Sequence, residues 1–253
     1  MGFYLSHDPD VLELLCPDCG IHTLFDPNGG FDAAVECFTC GRKFSRSDII
    51  GDMKTLADDA GSRAAQYQYG RYLLSTGADK KEALKYLLKS AGQEYIEAMY
   101  SLGLQILQDK ESGRKLEIAI DFLDAAAKKG HARAQYYLAA CYYYGHGVKQ
   151  DYRTAVKWFH EASKQGHAGA QFSLGVCLLR GQGIEQNEKS AVKCFLAAAD
   201  QGNADAQFNL GVCLLHGQGI ERNEKSAARY FALAAEQGHA EAKRRLASLQ
   251  DRT

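Results

Sequence analysis

Four cysteines near the start of the chain carry the clearest chemistry. Cys16-Pro-Asp-Cys19-Gly20 and Cys37-Phe-Thr-Cys40-Gly41 are two C-x-x-C-G turns with seventeen residues between them. Each turn brings two thiolates together, and the glycine after it lets the backbone take a positive φ. Two such turns give four sulfurs, a closed tetrahedral shell for one metal ion. No coordination position is left for water, so the site would be structural rather than catalytic. A redox C-x-x-C would instead call for one motif at the start of a helix in a βαβ setting.

Short strands must hold these turns in place. Ile21 to Phe25 and Phe31 to Val35 have strand composition and are joined by Asp26-Pro27-Asn28-Gly29-Gly30, a strong turn sequence. Arg42 to Arg46 can add a third strand. Through both C-x-x-C-G turns, residues 1–46 resemble the zinc-ribbon family. The resemblance implies a small β module held by one structural zinc ion on Cys16, Cys19, Cys37 and Cys40. The same four-sulfur shell accepts iron, as in rubredoxin-like centres. His7 and His22 flank the site and read as surface residues, because four cysteines complete the shell. A module this short cannot fold on its own core, which fits a metal staple.

Charge bears on partners. Residues 1–60 hold 11 acidic and 4 basic groups, and the remainder 20 and 26, so a head of −7 precedes a body of +6. Asp18, Asp26, Asp32 and Glu36 crowd the cysteines. Such a head is poorly suited to a phosphate backbone, so nucleic-acid binding through the ribbon is the weaker reading. No apolar run approaches the roughly 20 residues that span a bilayer. The start, MGFYLSHDPDVLELL, lacks a basic region and a small-residue cleavage site. Gly2 and Ser6 match a myristoylation pattern, but no polybasic segment supports it. A reduced cytoplasmic setting is the simplest expectation.

Ser47 to Asp59 has a capping residue and apolar spacing at Ile49/Ile50, Met53 and Leu56. This reads as a short helix ended by Gly61 that caps the first face of a helical array. Beyond it the chain repeats. Ala170 to Gly202 and Ala206 to Gly238, thirty-six residues apart, agree at 24 of 33 positions. Ala134 and Ala98 open looser copies at the same spacing, Ala65 one more after thirty-three residues, and Ala242 a truncated sixth. The expected units run over about 61–93, 94–129, 130–165, 166–201 and 202–237, with a terminal helix in 238–253. A fixed period of this length means stacked structural units.

Each unit holds two helical patterns. In the fourth, Ala170, Leu174 and Leu178 mark the first helix, and Ala191, Phe195 and Ala198 the second. Gly181-x-Gly183 turns the chain between them. Asn187 stands at the N-cap place of the second helix, as do Asp79, Asp151 and Asn223; Lys115 departs from this. Gln-Gly or Lys-Gly closes it at Gly130, Gly166, Gly202 and Gly238. A-Q-F-x-L-G, G-x-G-[VI], A-x-x-[WYC]-F-x-x-A-A and Q-G-x-A together resemble the Sel-one-like repeat, a relative of the tetratricopeptide repeat, over about 190 residues. The resemblance implies an all-α, right-handed α/α superhelical solenoid serving as a protein-binding scaffold, with no shared catalytic site. The G-x-G turn is missing from the first two units. A disulfide-rich branch linked to β-lactam binding carries cysteine pairs eight positions apart, and this chain has none.

The unit also explains features that look chemical. The G-x-G turns recur once per unit without a longer glycine pattern, so they are turns rather than phosphate cradles. His131, His167 and His239, with Asn203, sit at helix starts, where a capping residue belongs. Cys141, Cys177 and Cys213 form a one-per-unit column too widely spaced for disulfides. No nucleophile, base and orienting group come together, so no enzyme is expected.

One stripe of the first helix varies from unit to unit. It reads Ala64, Gln68, Arg71, Ser75; Glu97, Ser101, Leu104, Gln108; Arg133, Tyr137, Ala140, Tyr144; Gly169, Ser173, Val176, Arg180; and Asp205, Asn209, Val212, His216. These places share one helix face. By resemblance to tetratricopeptide arrays that face lines a concave groove that takes a protein or peptide. Arg133, Tyr137, Tyr143, Tyr144, Arg180, Asn209 and His216 are the candidate contacts, with unit three supplying aromatic anchors.

Overall fold

The computed structural model describes the backbone of residues 3–5, 12–15, 22–25, 35–36, 43–44, 46–59, 61–77, 79–108 and 116–250, with the side chains of those from 50 to 249 except residue 52. The four ribbon cysteines, His7 and Lys115 lie outside the described residues. Residues 1–108 and 109–253 form two compact units.

In the first, β1 (Phe3–Leu5), β2 (Leu12–Leu15) and β3 (His22–Phe25) form an antiparallel sheet in that order, with Leu12 opposite Phe25 and Leu15 opposite His22. β4 (Val35–Glu36) pairs antiparallel with β5 (Lys43–Phe44). Of the expected strand Phe31 to Val35 only Val35 is described, so its expected hairpin with Ile21 to Phe25 lies outside the described residues. β3 pairs with β2 and β4 with β5, so in the sequence each C-x-x-C falls between two antiparallel partners.

α1 (Arg46–Asp58) comes next. It buries Met53, Leu56 and Ala57, and Gly61 beyond it takes φ 64°. α2 (Arg63–Ser75), α3 (Lys80–Gly92) and α4 (Ile96–Gln108) complete the unit. The Gln66 side-chain amide donates to the Ala57 carbonyl at 3.1 Å, and the Tyr86 hydroxyl to Asp58 at 2.7 Å, fastening α1 to both helices of the first repeat.

The second unit is entirely helical among its described residues. It contains α5 (Leu116–Lys128), α6 (Ala132–Tyr144), α7 (Tyr152–Lys164), α8 (Ala168–Arg180), α9 (Glu188–Asp200), α10 (Ala204–His216), α11 (Glu224–Glu236) and α12 (Ala240–Gln250). Twelve helices are thus described, an all-α repeat solenoid.

Small-on-large packing joins the two helices of a repeat. Gly175 faces Phe195 so closely that an added Cβ would fall 2.7 Å from the ring, and Gly211 faces Phe231 at the same distance. Both phenylalanines are fully buried. Burying one such ring stabilises by roughly 1.5–3 kcal/mol. The turns are built as their residues dictate. Gly145, Gly181 and Gly217 adopt the left-handed conformation as C-caps, and Asp151, Asn187 and Asn223 accept backbone N–H bonds at the next helix start. The second glycine of each G-x-G faces a different demand. A Cβ on Gly183 would lie 2.3 Å from the Tyr152 carbonyl oxygen, and one on Gly219 2.4 Å from the Glu188 backbone. These glycines let each loop rest on the start of the previous repeat's second helix.

Candidate functional site

The varying stripe does form a cleft in the second unit. Ala140 and Tyr144 of α6 face Ser173 and Val176 of α8, four places that the periodicity put on one helix face. Tyr136, Tyr143, Phe159 and Phe172 line the remainder. The volume is about 80 Å³, well below the roughly 300–1,000 Å³ of a small-molecule pocket but several times what one water occupies. It has room for one apolar side chain.

The tyrosines are held differently. Tyr143 is half-buried; its hydroxyl donates to Gln182 at 2.8 Å, and its ring meets Tyr144 edge-on at 4.9 Å and Tyr152 at 5.1 Å. It therefore ties the end of α6 to the loop after α8 while walling the cleft. Burial raises its hydroxyl pKa, with the nearby Arg180 charge acting the other way. Tyr144 is 68% exposed and presents its ring to solvent. Tyr137 is half-buried against Tyr136 at 5.3 Å, and Tyr136 stacks on His167 at 4.6 Å.

Arg133 and Arg180 are both exposed, one at the start of α6 and one at the end of α8. Among the described residues neither forms an ion pair, whereas Arg222 pairs with Glu224, and Arg244 and Arg245 with Glu241. Asn209 is half-buried and returns its amide to the Asp205 carbonyl at 2.8 Å. His216 is exposed but belongs to a separate polar recess with Arg222, Arg245 and Ser248. So Tyr143, Tyr144 and, one turn away, Arg180 gather at one place, while Asn209 and His216 lie along the next repeat.

In the first repeat only the second half of the stripe is open, where Arg71 and Ser75 are exposed and line a recess with Ser101. Ala64 and Gln68, in its first half, are 0% and 1% exposed, so the reading of that face as a groove lining fails for these two. Residues 64 to 70 are all buried, which means every side of α2 is covered over this stretch. Periodicity alone could not show this, because it reports which residues share a face and not what lies over it.

The recurring polar residues are structural. His131, His167 and His239 accept the N–H of Ala134, Ala170 and Ala242 through Nδ1, and Asn203 does the same for Ala206. Cys141, Cys177 and Cys213 are buried and unpaired, and burial pushes each thiol pKa up to about 11. Among the described residues no group of three or more His, Cys, Asp or Glu gathers to hold a metal. No described helix is long and apolar enough to cross a membrane.

Sequence reasoning missed one recurring device. The glutamine of A-Q-F sits at the junction of consecutive repeats. Gln207 donates to the Ala199 carbonyl of the preceding helix at 3.3 Å and accepts from Gln237 at 2.8 Å. Gln135 does likewise with Ala127 and Gln165. The signal in the sequence was a pair of glutamines thirty residues apart, at 135 and 165, 171 and 201, and 207 and 237.

The Sel1 repeat matches the chain at residues 63–95, 96–131, 132–167, 168–203 and 204–239. The chain belongs to the Sel1 repeat family. Sel1 repeat proteins are typically scaffolds for protein–protein interaction and are generally not enzymes. Among solved structures, it is similar to a protective antigen of uropathogenic Escherichia coli with an SLR fold, at 30% identity and TM-score 0.74, covering 79% of this chain and 43% of that one. This chain thus spans less than half of that protein's length. A Sel1 repeat protein of Oxalobacter formigenes shares the fold at 24% identity and TM-score 0.70, covering 79% of this chain and 82% of that one. The immunity protein PA5088 of Pseudomonas aeruginosa does so at 23% identity and TM-score 0.51, covering 83% and 79%. None of the curated proteins matches this sequence.

Proposed function

We propose that this Sel1 repeat protein is a non-catalytic adaptor that docks a partner protein or peptide in the cleft between α6 and α8. The observation that carries the reading is the cleft's composition: an exposed Tyr144 beside an aromatic-walled recess, at the stripe that repeats leave free to vary. Aromatic anchors beside arginine are the usual composition of interface hot spots. Affinity capture with wild type beside Tyr144→Ala/Val176→Asp tests it. Both positions face the cleft, and Val176 also packs against the core, so partner capture should be lost in this variant and in Tyr144→Ala alone, with helical content, read by circular dichroism, unchanged in Tyr144→Ala. Capture that survives the double change would remove this reading.

The proposal extends to the head. Cys16, Cys19, Cys37 and Cys40 would hold one structural zinc ion, supported by their spacing and by the position of each C-x-x-C between antiparallel strands. A reducing, cytoplasmic compartment goes with four thiolates on zinc and four unpaired cysteines elsewhere. Metal analysis of wild type and Cys16→Ser/Cys19→Ser should find one zinc per chain in the first and none in the second. Iron in that place would redirect the assignment to a rubredoxin-like centre.

A further inference from the structure

The charges around the cleft are one-sided. The stripes of its two repeats contribute Arg133, Tyr137, Ala140 and Tyr144 from α6, and Gly169, Ser173, Val176 and Arg180 from α8: two cations and no acid. None of the residues lining the cleft is acidic. The next acid along the stripe, Asp205, already lies 3.4 Å from His239. Some arginines of this unit pair with a carboxylate on the same molecule, as Arg222 does with Glu224 and Arg245 with Glu241, while Arg153 and Arg229 form no ion pair among the described residues. Arg133 and Arg180 have none among the described residues. An arginine fork left open beside a desolvating apolar recess is a geometry that selects a carboxylate.

Spacing then sets where that carboxylate must be. Val176 forms the α8 wall of the cleft, and Arg180 comes four residues later on the same helix face. Four residues rise about 6 Å along a helix, the span of about two residues of extended chain.

We infer that the cleft takes a linear peptide segment with one apolar side chain in the recess and an Asp or Glu about two residues away, toward Arg180. This rests on the docking reading above and adds the chemistry of the partner. The apolar side chain displaces water against Tyr143, Phe159, Phe172 and Val176, with the Tyr144 ring covering it from solvent. The carboxylate meets Arg180, and repulsion from Arg180 rejects segments that carry Lys or Arg at that place.

The test is selection of random twelve-residue peptides displayed on phage against the full chain. Enriched peptides are then measured by fluorescence anisotropy against wild type, Tyr144→Ala and Arg180→Glu. The selected sequences should share an apolar residue with Asp or Glu about two places away. Tyr144→Ala should weaken them at least tenfold, and so should Arg180→Glu. Changing the peptide's acid to its amide should weaken binding to wild type but not to Arg180→Glu. Peptides that need Tyr144 but carry no acid, or carry a base there, overturn the carboxylate assignment and leave the docking cleft standing. If nothing is enriched, or if enriched peptides ignore Tyr144→Ala, the docking reading falls with it. Tyr144 and Arg180 are both exposed, so neither variant removes a core contact.

Discussion

The side-chain amide of Gln237 donates to the side-chain oxygen of Gln207 at 2.8 Å, from the end of α11 to the start of α10. Gln207 is 5% exposed, and its own amide reaches the Ala199 carbonyl at the end of α9. One residue therefore links three helices of two repeats. Gln207→Leu fills the same space but deprives both partners, and should lower stability by roughly 1–3 kcal/mol. Gln237→Ala removes only the exposed donor and should cost less. Urea denaturation of the two variants checks the order; equal effects would mean the Ala199 bond contributes nothing.

Acid should loosen the array at a defined helix start. His167 accepts the Ala170 N–H through Nδ1, so it must be unprotonated there to cap α8. Its pKa is lowered from 6.5, first by burial and then by the nearby Arg133 charge. A base with a depressed folded-state pKa binds protons more readily when unfolded. Its contribution is therefore fully present above the unfolded value of about 6.5 and is lost as pH falls through the lower folded value. His167→Asn keeps the cap, as Asn203 does one repeat later, without a titrating group. Stability measured between pH 8 and pH 5 should fall less steeply in that variant than in wild type.

Gly183 should tolerate no side chain. Its φ is 73°, and a Cβ would lie 2.3 Å from the Tyr152 carbonyl oxygen. Gly183→Ala combines a left-handed backbone cost of roughly 1–2 kcal/mol with a clash that only backbone movement relieves. Gly202, also at positive φ but with open space around it, should lose only the conformational part on change to Ala. Thermal unfolding of the pair separates conformation from contact.

The thiols of Cys141, Cys177 and Cys213, with pKa values of about 11, should resist alkylation at pH 8 in the native protein. Mass spectrometry after iodoacetamide treatment should find them modified only once the protein is denatured.

The helical fold was legible because each repeat writes its own punctuation. Asn187, Gly181 and Gly202 mark where helices begin and end, and all three do so in the structure. The cleft was legible in part. A 3.6-residue period places Ala140, Tyr144 and their counterparts on one face, and these do meet across α6 and α8. What sequence could not convey was the use already made of a side chain. Tyr143 looked like an anchor for a partner, yet its hydroxyl is engaged by Gln182, thirty-nine residues away. Gln68 was placed on the groove face, yet it is buried. Both facts depend on neighbours brought in by packing, which spacing along one helix does not encode.

The loop that rests Gly183 on Tyr152 rests Gly219 on Glu188 thirty-six residues later. The leading edge of each of these repeats thus fits the trailing edge of the one before it. A tandem duplication of such a segment would arrive with both of its joints already complementary. Array length can then change in evolution by whole units, without new packing having to be invented. The surface left to diverge afterwards is the stripe around Tyr144 and Arg180.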